Sequence, residues 1–337
     1  MTIKDIAKQC NVSVSTVSRV LNDRPDVSDD VRCKVLAAIK SSNYIPNNSA
    51  RDLVRTKSDA IGLVVRGVSN PFYTDIIRAI ERTITDGGFT MVMQQIGACD
   101  DEIKCAAVME REKRLRGIVF LGGRFDYTPA DLALLNVPFV CCSYSNRYGT
   151  LADGEYSSVS IADGDTARQA VEELCAHGHR RIAALISRPD DQSISQLRYE
   201  GYVEALTCRG IPIDRDLVIS AGAFGVKDAY DAVAQKLRDG AEFTALFAIA
   251  DSMAIGAIRA LLDAGKRVPE DCSVIAIDGL ELSAYIDPPL TTLCQPMEEM
   301  GRRSAEILLD MVQRKGSHAC ELLPTTLRRG GSVIAAK

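Results

Sequence analysis

The chain has 337 residues, of which 46% are hydrophobic and 25% charged, and it contains no tryptophan. This is an ordinary globular composition, and no apolar stretch approaches the roughly eighteen residues of a membrane-spanning helix, so we expect no membrane segment. The N-terminus lacks a basic segment followed by an apolar one, so we expect no signal peptide. Eleven cysteines, an odd number without a secretory signal, are typical of reduced thiols in the cytosol.

Charge is divided unevenly along the chain. The formal net charge of −5 at pH 7 argues, taken alone, against a nucleic-acid partner. Residues 1–58, however, hold ten Lys and Arg against six Asp, a net charge of +4, and the remaining 279 residues carry −9. A small basic segment followed by an acidic body is expected where only the basic segment meets phosphate.

The first 22 residues predict two short helices joined by a tight turn. The first helix has one apolar face with i, i+3, i+4 and i+7 spacing, formed by Ile3, Ile6, Ala7 and Cys10. Asn11 tolerates the left-handed conformation of a sharp turn, and Ser13 is a natural N-cap for the second helix. The second helix directs Val17, Val20 and Leu21 inward.

The outer face of the second helix carries small hydrogen-bonding groups and one arginine. It consists of Ser15, Ser18, Arg19 and Asn22, with Val14 at its N-terminal edge. Such a face suits the major groove of DNA. Any two-helix corner can show the same pattern, so the spacing alone leaves both interpretations open.

A third helix and a basic segment follow. Ser28 is the expected N-cap of a helix whose inner face is Val31, Val35 and Ile39, and which ends before Pro46. Three short helices in about 45 residues are typical of a helix-turn-helix DNA-binding head. Residues 47–57 are basic and too short for a stable isolated helix. They form either a solvated linker or a segment that folds only on DNA beside a second copy.

The rest of the chain alternates between apolar runs and helical patterns. The predicted strands are 60–65, 89–94, 117–121, 139–143, 181–186, 217–220, 245–249 and 273–277. The predicted helices are 73–85, 99–114, 129–135, 163–176, 196–209, 226–238, 253–264 and 297–312. This alternation predicts an α/β body with right-handed crossovers, arranged as two lobes with a ligand cleft at the carboxyl ends of the strands.

Two long runs, TIKDIAKQCNVSVSTVSRVLN and VSDDVRCKVLAAIKSSNYIPNNSARDL, resemble the head and hinge of the LacI/GalR family of bacterial transcription regulators. The resemblance continues to about residue 333. It implies a body with the fold of periplasmic sugar-binding proteins, in which two parallel sheets are flanked by helices and the chain crosses between lobes three times. The C-terminal helix then returns to the first lobe.

The resemblance divides the chain into three parts. These are a head at 1–46, a hinge at 47–57, and an effector-binding and dimerisation body at 58–337 with lobes near 58–157 plus 290–318 and 158–287 plus 320–337. No leucine-heptad tail follows Arg329, so we expect a dimer without a tail-driven tetramer.

The resemblance also assigns candidate DNA contacts. Val14, Ser15 and Arg19 match positions that read bases, and arginine can bridge guanine O6 and N7. Ala50 and Leu53 match hinge positions that enter the minor groove, where a wedge kinks the duplex. The candidates that match positions contacting mostly the DNA backbone are Ser13, Thr16, Ser18 and Asn22. Asn47 is a further DNA-binding candidate.

The same resemblance gives candidate ligand residues in the cleft. Phe72, Tyr73 and Phe224 could stack on a ring, although Phe72 and Tyr73 could equally serve lobe packing. The polar candidates are Arg198, Asp251, Asp278 and Gln295. For Asp251 the alternative is a plain N-cap of the helix that follows it.

Several positions depart from the sugar-binding members of the family. Ala250 stands where asparagine is frequent, Gly279 where a second aspartate is common, and Ser143 where aspartate is frequent. Each change removes a hydroxyl partner, so a common hexose or disaccharide cannot be assumed. Arg124 could add a positive group for a phosphorylated or acidic ligand, or could be an ordinary surface charge.

These observations together predict a bacterial, cytoplasmic, nucleoid-associated transcription regulator that acts as a repressor. The expected partners are a near-palindromic DNA operator, a small-molecule effector such as a sugar or sugar derivative, and a second copy of the chain. An activator, or a regulator of a non-sugar metabolite, is the alternative. We expect no cofactor, no metal and no enzymatic activity, because the chain lacks CxxC, HExxH, GxSxG and phosphate-loop motifs.

Overall fold

The chain forms two compact units, Met1–Ser58 and Asp59–Lys337. The computed structural model describes residues 2–21, 24, 26–42, 59–67, 70–97, 100–152, 154–188, 192–314 and 316–337. The predicted hinge at 47–57 lies outside the described residues, and so do Asn22, Asn47, Ala50 and Leu53.

The first unit contains three short helices packed around one apolar core. The helices are α1 (Ile3–Cys10), α2 (Val14–Leu21) and α3 (Asp29–Ser41). The core consists of Ile6, Ala7, Cys10, Val17, Val20, Val35 and Ala38. Asn11 adopts the left-handed conformation, with φ 52° and ψ 48°, and turns the chain between α1 and α2 as predicted. The three-helix head is therefore confirmed.

The helix starts of the head are satisfied in different ways. Ser13 Oγ accepts the backbone N–H of Thr16 at 3.0 Å, which confirms the predicted cap of α2. Ser28 precedes α3 in extended conformation, but its side chain makes no capping hydrogen bond, so only its position agrees with the prediction. At α1 the carboxylate of Asp5 accepts the backbone N–H of Thr2 at 2.7 Å, a contact that the sequence analysis missed.

The second unit alternates strands and helices. In chain order its strands are β1 (Ala60–Arg66), β2 (Thr90–Ile96), β3 (Gly117–Leu121), β4 (Phe139–Cys142), β5 (Ser158–Ser160), β6 (Ile182–Ile186), β7 (Val218–Ser220), β8 (Ala245–Ala248), β9 (Ser273–Asp278), β10 (Thr291–Cys294), β11 (Cys320–Leu322) and β12 (Thr326–Arg328). Its helices are α4 (Tyr73–Asp86), α5 (Glu102–Lys113), α6 (Pro129–Leu132), α7 (Asp163–Ala176), α8 (Ile194–Cys208), α9 (Val226–Arg238), α10 (Asp251–Asp263) and α11 (Met297–Arg314).

The strands form two sheets, one in each lobe. The first has the order β11-β5-β4-β3-β1-β2 and is parallel throughout. The second has the order β12-β10-β9-β8-β6-β7 and is parallel except for β12, which runs antiparallel to β10. Central strands such as β3 and β8 are buried at every residue, because helices cover both faces of a parallel sheet. The predicted two-lobed α/β body is confirmed.

The chain crosses between the lobes three times, each time a few residues beyond the approximate predicted bounds. β5 pairs with β4, so the first crossover follows residue 160 and not 157. β10 pairs with β9, so the return to the first lobe follows residue 294 and not 290. β11 pairs with β5, so the last crossover follows residue 322 and not 318. The segments at these crossovers are only three or four residues long, and pairing with neighbouring strands, more than local sequence, decides which sheet they join.

The C-terminal helix α11 returns to the first lobe, as predicted, and packs against α4. Met300 and Leu308 of α11 share one apolar core with Ile76 and Ile80 of α4. The two helices approach so closely at Gly301 that an added Cβ would lie 2.4 Å from the carbonyl oxygen of Ile76. Only glycine permits this close packing of α11 against α4, so Gly301 determines how near the two helices lie.

A buried histidine ties the C-terminal segment to the second lobe. His179 Nδ1 lies 3.0 Å from Thr244 Oγ1, and Nε2 lies 3.1 Å from Ser273 Oγ and 3.0 Å from the carbonyl oxygen of Ile334. The side chain is 3% exposed, and burial lowers its pKa below the ordinary 6.5. The neutral imidazole is therefore the form that the fold requires.

We expect the stability of the body to fall in acid because of His179. The unfolded chain takes up a proton near pH 6.5, whereas the folded chain does so only at lower pH. The free energy of unfolding is therefore at its maximum above pH 6.5 and decreases as the pH falls through the lowered pKa. Urea unfolding followed by circular dichroism at about pH 7.5 and about pH 5 should show a smaller difference for His179→Gln than for the wild type. Equal differences would contradict this role.

Candidate functional site

The outer face of α2 presents hydroxyl groups and one guanidinium to solvent. Ser13, Val14, Ser15 and Arg19 are exposed, and Thr16 is half-buried. Ser13 Oγ lies 2.7 Å from Ser15 Oγ and 2.8 Å from Thr16 Oγ1, so three hydroxyls cluster at the start of the helix. Such groups donate to or accept from phosphates and base edges equally well.

Arg19 forms an ion pair with Asp26 across the surface of the head. The guanidinium Nη1 lies 3.3 Å from the carboxylate, and the two side chains are 61% and 54% exposed. Water screens an exposed pair of this kind strongly. Arg19 can therefore exchange Asp26 for a DNA acceptor at little cost. Ser18, which is half-buried, lies beside it on the same helix.

In the body, a cleft between the two lobes encloses a cavity of about 570 Å³. Both lobes contribute to its walls, at the edge where the parallel strands end. The residues with polar side chains in the lining are Arg66, Asn70, Tyr73, Arg124, Ser143, Ser187, Arg188, Gln192, Ser193, Arg198, Asp228 and Asp278. A cavity of this size and polarity accommodates a small polar molecule.

Five of the seven predicted ligand residues line this cavity. Phe72 and Tyr73 do so from the first lobe, and Arg198, Phe224 and Asp278 from the second. The structure thus brings residues separated by about two hundred positions into one cleft. Ser143 and Ala250, which the sequence analysis noted as departures, are also in the lining.

The two aromatic residues of the first lobe have different surroundings. Phe72 is 3% exposed and belongs to the apolar core of the lobe, which agrees with the packing alternative. Tyr73 is less buried, and burial of its hydroxyl raises the pKa of Tyr73 to about 12. A Cβ at Gly122, where φ is 68°, would come within 2.6 Å of Tyr73 Oη. Glycine at this turn therefore makes room for a neutral hydroxyl in the cavity wall.

Arg198 is the centre of a buried ion cluster. Its Nε donates to Asp163 Oδ1 at 2.9 Å, and its Nη1 donates to Asp278 Oδ1 at 3.4 Å and to the carbonyl oxygen of Ile249. The side chains of Arg198, Asp163 and Asp278 are each 3% exposed. Burial raises the pKa of Asp163 and that of Asp278, the latter to about 7, although the adjacent guanidinium opposes both shifts.

Asp278 lines the cavity and carries an unpaired acceptor. Oδ1 accepts from Arg198 and, at 2.8 Å, from Gln295 Nε2. Oδ2 is buried and has no hydrogen-bond partner among the described residues, and neither does Gln295 Oε1. The backbone φ of 139° at Asp278 is rare for a residue with a side chain. A buried unpaired oxygen is unfavourable, so a ligand hydroxyl that donates to Oδ2 would be stabilised.

Gln295 does not line the cavity, contrary to the prediction. It is 4% exposed, and its amide lies behind the carboxylate of Asp278. Its position at the end of β10, next to the crossover into α11, puts it between the cleft and the connection to the first lobe. Gln295 therefore orients Asp278 and makes no direct contact with the cavity.

Asp251 is also misassigned by the sequence analysis. It is completely buried, and its carboxylate accepts the backbone N–H groups of Gly279 and Leu280 and the hydroxyls of Ser283 and Thr292. It does not cap its own helix either, because α10 begins at Asp251 itself. Its Oδ2 accepts three of these bonds, all from the loop that follows Asp278, and its Oδ1 accepts the fourth from Thr292 on β10, so the carboxylate holds parts of the fold together outside the cavity lining.

Two residues that the sequence analysis missed determine the first-lobe wall of the cavity: Arg66 lines it, and Glu102 lies behind Arg66. Arg66, the last residue of β1, lines the cavity, and its Nη1 donates to Glu102 at 2.8 Å. Arg66 directly follows a buried apolar strand, so the rule that ligands bind at strand ends could have found it. Glu102 has no such sequence signal, because a glutamate in the first turn of a helix is normally exposed.

The described part of the chain shows neither a metal site nor a membrane-spanning helix. No cluster of His, Cys, Asp and Glu there could hold a metal ion. None of the helices in that part combines the length and apolar character that crossing a bilayer requires.

A three-helix head with a polar exposed face and a two-lobed body with a polar cleft together define a ligand-controlled DNA-binding regulator. Residues 2–47 match the family described as bacterial regulatory proteins, lacI family, and residues 171–333 match a periplasmic binding protein-like domain. The chain belongs to the LacI family of bacterial transcription regulators.

Relatives in this family match the chain over nearly its whole length. The HTH-type transcriptional regulator MalR of Clostridium butyricum is 39% identical over 97% of both chains. The Lac repressor dimer bound to operator and an anti-inducer is 29% identical, with a TM-score of 0.79 over 99% of both chains. The regulator CelR in complex with cellobiose is also 29% identical, with a TM-score of 0.72 over 99% of this chain and 100% of its own.

We expect Arg198→Met to destabilise the body by about 3–5 kcal/mol, because it leaves two buried carboxylates without their cation. Denaturant unfolding of the body measures this loss. Arg188→Met is the matched control, since Arg188 lines the same cavity but is exposed. The control should change stability by no more than about 0.5 kcal/mol. Similar losses in both variants would contradict a structural role for the buried cluster.

Proposed function

We propose that the protein is a repressor that binds a near-palindromic operator as a homodimer, and that a sugar or sugar derivative in the cleft changes its affinity for DNA. The observation that carries this proposal is that Asp278, which lines the cleft, has an unpaired carboxylate oxygen. The same chain also contains a DNA-binding head. Lac repressor bound to its operator as a dimer supports the DNA partner, and CelR in complex with cellobiose supports a sugar.

On the DNA side we propose a division of labour along the chain. Val14, Ser15 and Arg19 read base edges in the major groove, and Ala50 and Leu53 enter the minor groove from the hinge. The contacts to the DNA backbone come from Ser13, Thr16, Ser18 and Asn22, and Asn47 is a further DNA contact. The corresponding domains are the head at 1–46, the hinge at 47–57 and the body from residue 58.

On the ligand side we propose that Phe224, Tyr73 and Arg198 contact the effector together with Asp278. Closure of the cleft moves one lobe relative to the other and so changes the spacing of the two hinges in a dimer. Effector and operator then alter each other's affinity by the same factor, because the coupling between two binding sites is reciprocal. The relatives that the chain matches are transcription regulators, which supports a ligand that is bound and released without reaction. A chromosomal regulator of this kind works in the bacterial cytoplasm, associated with the nucleoid.

A sugar should stabilise the native protein and change operator binding at the same time. We expect at least one member of a panel of pentoses, hexoses, cellobiose and nucleosides to raise the melting temperature. At a ligand concentration a hundred times its Kd, the free energy of unfolding should increase by about 2.7 kcal/mol. The same compound should shift the affinity for an operator selected from random duplexes. A response confined to non-sugar compounds would contradict the proposal.

Asp278→Asn should abolish the response to that sugar, because the amide oxygen is needed as the acceptor for Arg198 and Gln295 and an amide nitrogen in the place of Oδ2 cannot accept from a hydroxyl. Asp228→Asn, at another acidic residue of the lining, is the matched control and should retain most of the response. The shift in melting temperature measures both. An undiminished response in Asp278→Asn would rule out the proposed contact.

Leu53→Ala should weaken operator binding at least about tenfold and leave sugar affinity nearly unchanged, because Leu53 acts only as a wedge in the minor groove. Gel shifts measure the first quantity and calorimetry the second. Val54→Ala, the neighbouring apolar residue, is the control. An equal loss of both affinities in Leu53→Ala would refute the separation of roles.

A further inference from the structure

We propose that Glu102 determines the charge specificity of the effector cleft: it neutralises Arg66, so that the wall of the first lobe accepts an uncharged polar ligand and disfavours an anionic one. This inference rests on the proposed function of the cleft. Glu102 does not line the cavity, but its charge acts on Arg66, which does.

The geometry places Glu102 directly behind the wall. Glu102 is the first residue of α5 and is 1% exposed. Its carboxylate accepts from Arg66 Nη1 at 2.8 Å, from the backbone N–H of Arg124 at 2.8 Å and from the hydroxyl of Tyr127. The Arg66 side chain is 19% exposed and lines the cavity. One buried carboxylate therefore holds a guanidinium and a loop at the cleft.

Two of the other three arginines of the cleft are paired with carboxylates in a similar way. Among the described residues the lining contains four arginines. Arg124 Nε lies 3.1 Å from Asp126, and Arg198 is paired with two aspartates. Arg188 Nε donates to the carbonyl oxygen of Gly222. Three of the four guanidiniums thus reach the cavity beside carboxylates, so they offer N–H donors without adding a net positive charge.

Neutralised arginines favour a particular kind of ligand. A paired guanidinium still donates hydrogen bonds to hydroxyl, carbonyl or ring oxygens. An anion, in contrast, would gain little attraction from Arg66 and would be repelled by Glu102 at short range in a partly desolvated site. The Arg66–Glu102 pair, with side chains 19% and 1% exposed, is more buried than the Arg124–Asp126 pair, with side chains 38% and 40% exposed. Water therefore screens the charge of Glu102 less than that of Asp126.

The experiment is to remove the charge of Glu102 while keeping its shape, and to titrate inorganic phosphate into the full chain by calorimetry at constant ionic strength. Glu102→Gln should create a phosphate site at least about tenfold tighter than any in the wild type, because the carboxylate that accepts from Arg66 Nη1 is then replaced by a neutral amide. The double variant Arg66→Met with Glu102→Gln should lose it again. Glu110→Gln is the matched control, since Glu110 is also buried on α5, accepts from Asn136 and lies outside the lining. It should gain no phosphate affinity.

Two results would overturn the inference. One is unchanged phosphate affinity in folded Glu102→Gln. The other needs no Glu102 variant: tight phosphate binding by the wild type that disappears in Arg66→Met would mean that Arg66 is not neutralised. Failure of the proposed function is distinguishable from both, because a wild type without any response to sugars contradicts that function whatever the phosphate titration gives.

Discussion

The guanidinium of Arg198, buried between Asp163 and Asp278, joins several elements at the edge of the second lobe that faces the cleft. Asp163 begins α7, Arg198 lies in the first turns of α8, and Asp278 ends β9. Burying the guanidinium of Arg198 without Asp163 and Asp278 would cost a large desolvation free energy, and so would burying the two carboxylates without Arg198. The cluster therefore fixes where helices start and strands end, and with them the floor of the cleft.

The same cluster leaves one acceptor unsatisfied at the cavity. Arg198 and Gln295 both donate to Oδ1 of Asp278, so Oδ2 has no partner among the described residues. Asp278 also holds an unfavourable backbone conformation, which Asp251 supports by binding the two following N–H groups. Strain and an unpaired polar atom cost stability, and they persist where the surrounding structure maintains them for a function. In this protein the strained backbone and the unpaired Oδ2 of Asp278 leave an acceptor to which a ligand hydroxyl can donate.

Gln295 connects this contact to the rest of the molecule. It touches Asp278 through its side chain, and its own backbone N–H donates to the carbonyl oxygen of the same residue at 2.9 Å. Two residues further on, α11 begins and carries the chain into the core of the first lobe. A ligand that orders Asp278 thereby acts on a residue next to an interlobe crossover. Binding and lobe movement thus share one short segment of chain.

Local sequence determined the elements whose signal is local. The spacing of Ile6, Ala7 and Cys10, the left-handed Asn11 and the alternation of apolar runs with helical patterns were sufficient for the head, the α/β body and its cleft. The candidate ligand residues Arg198, in a helix, and Asp278, at the end of a buried strand, came from the resemblance to a family, and the structure places them in the cavity lining.

Only the tertiary structure decided which polar groups are available to a ligand. Asp251 and Asp278 look alike in sequence, yet both carboxylate oxygens of the first accept from internal donors, whereas Oδ2 of the second does not. Glu102 looks like a surface residue and is buried beneath Arg66. The short strands β5 and β11 were likewise assigned to their sheet by pairing. The reason is physical: periodicity and end signals act over a few residues, whereas the hydrogen-bond partners of a buried carboxylate come from distant segments that only the fold brings together.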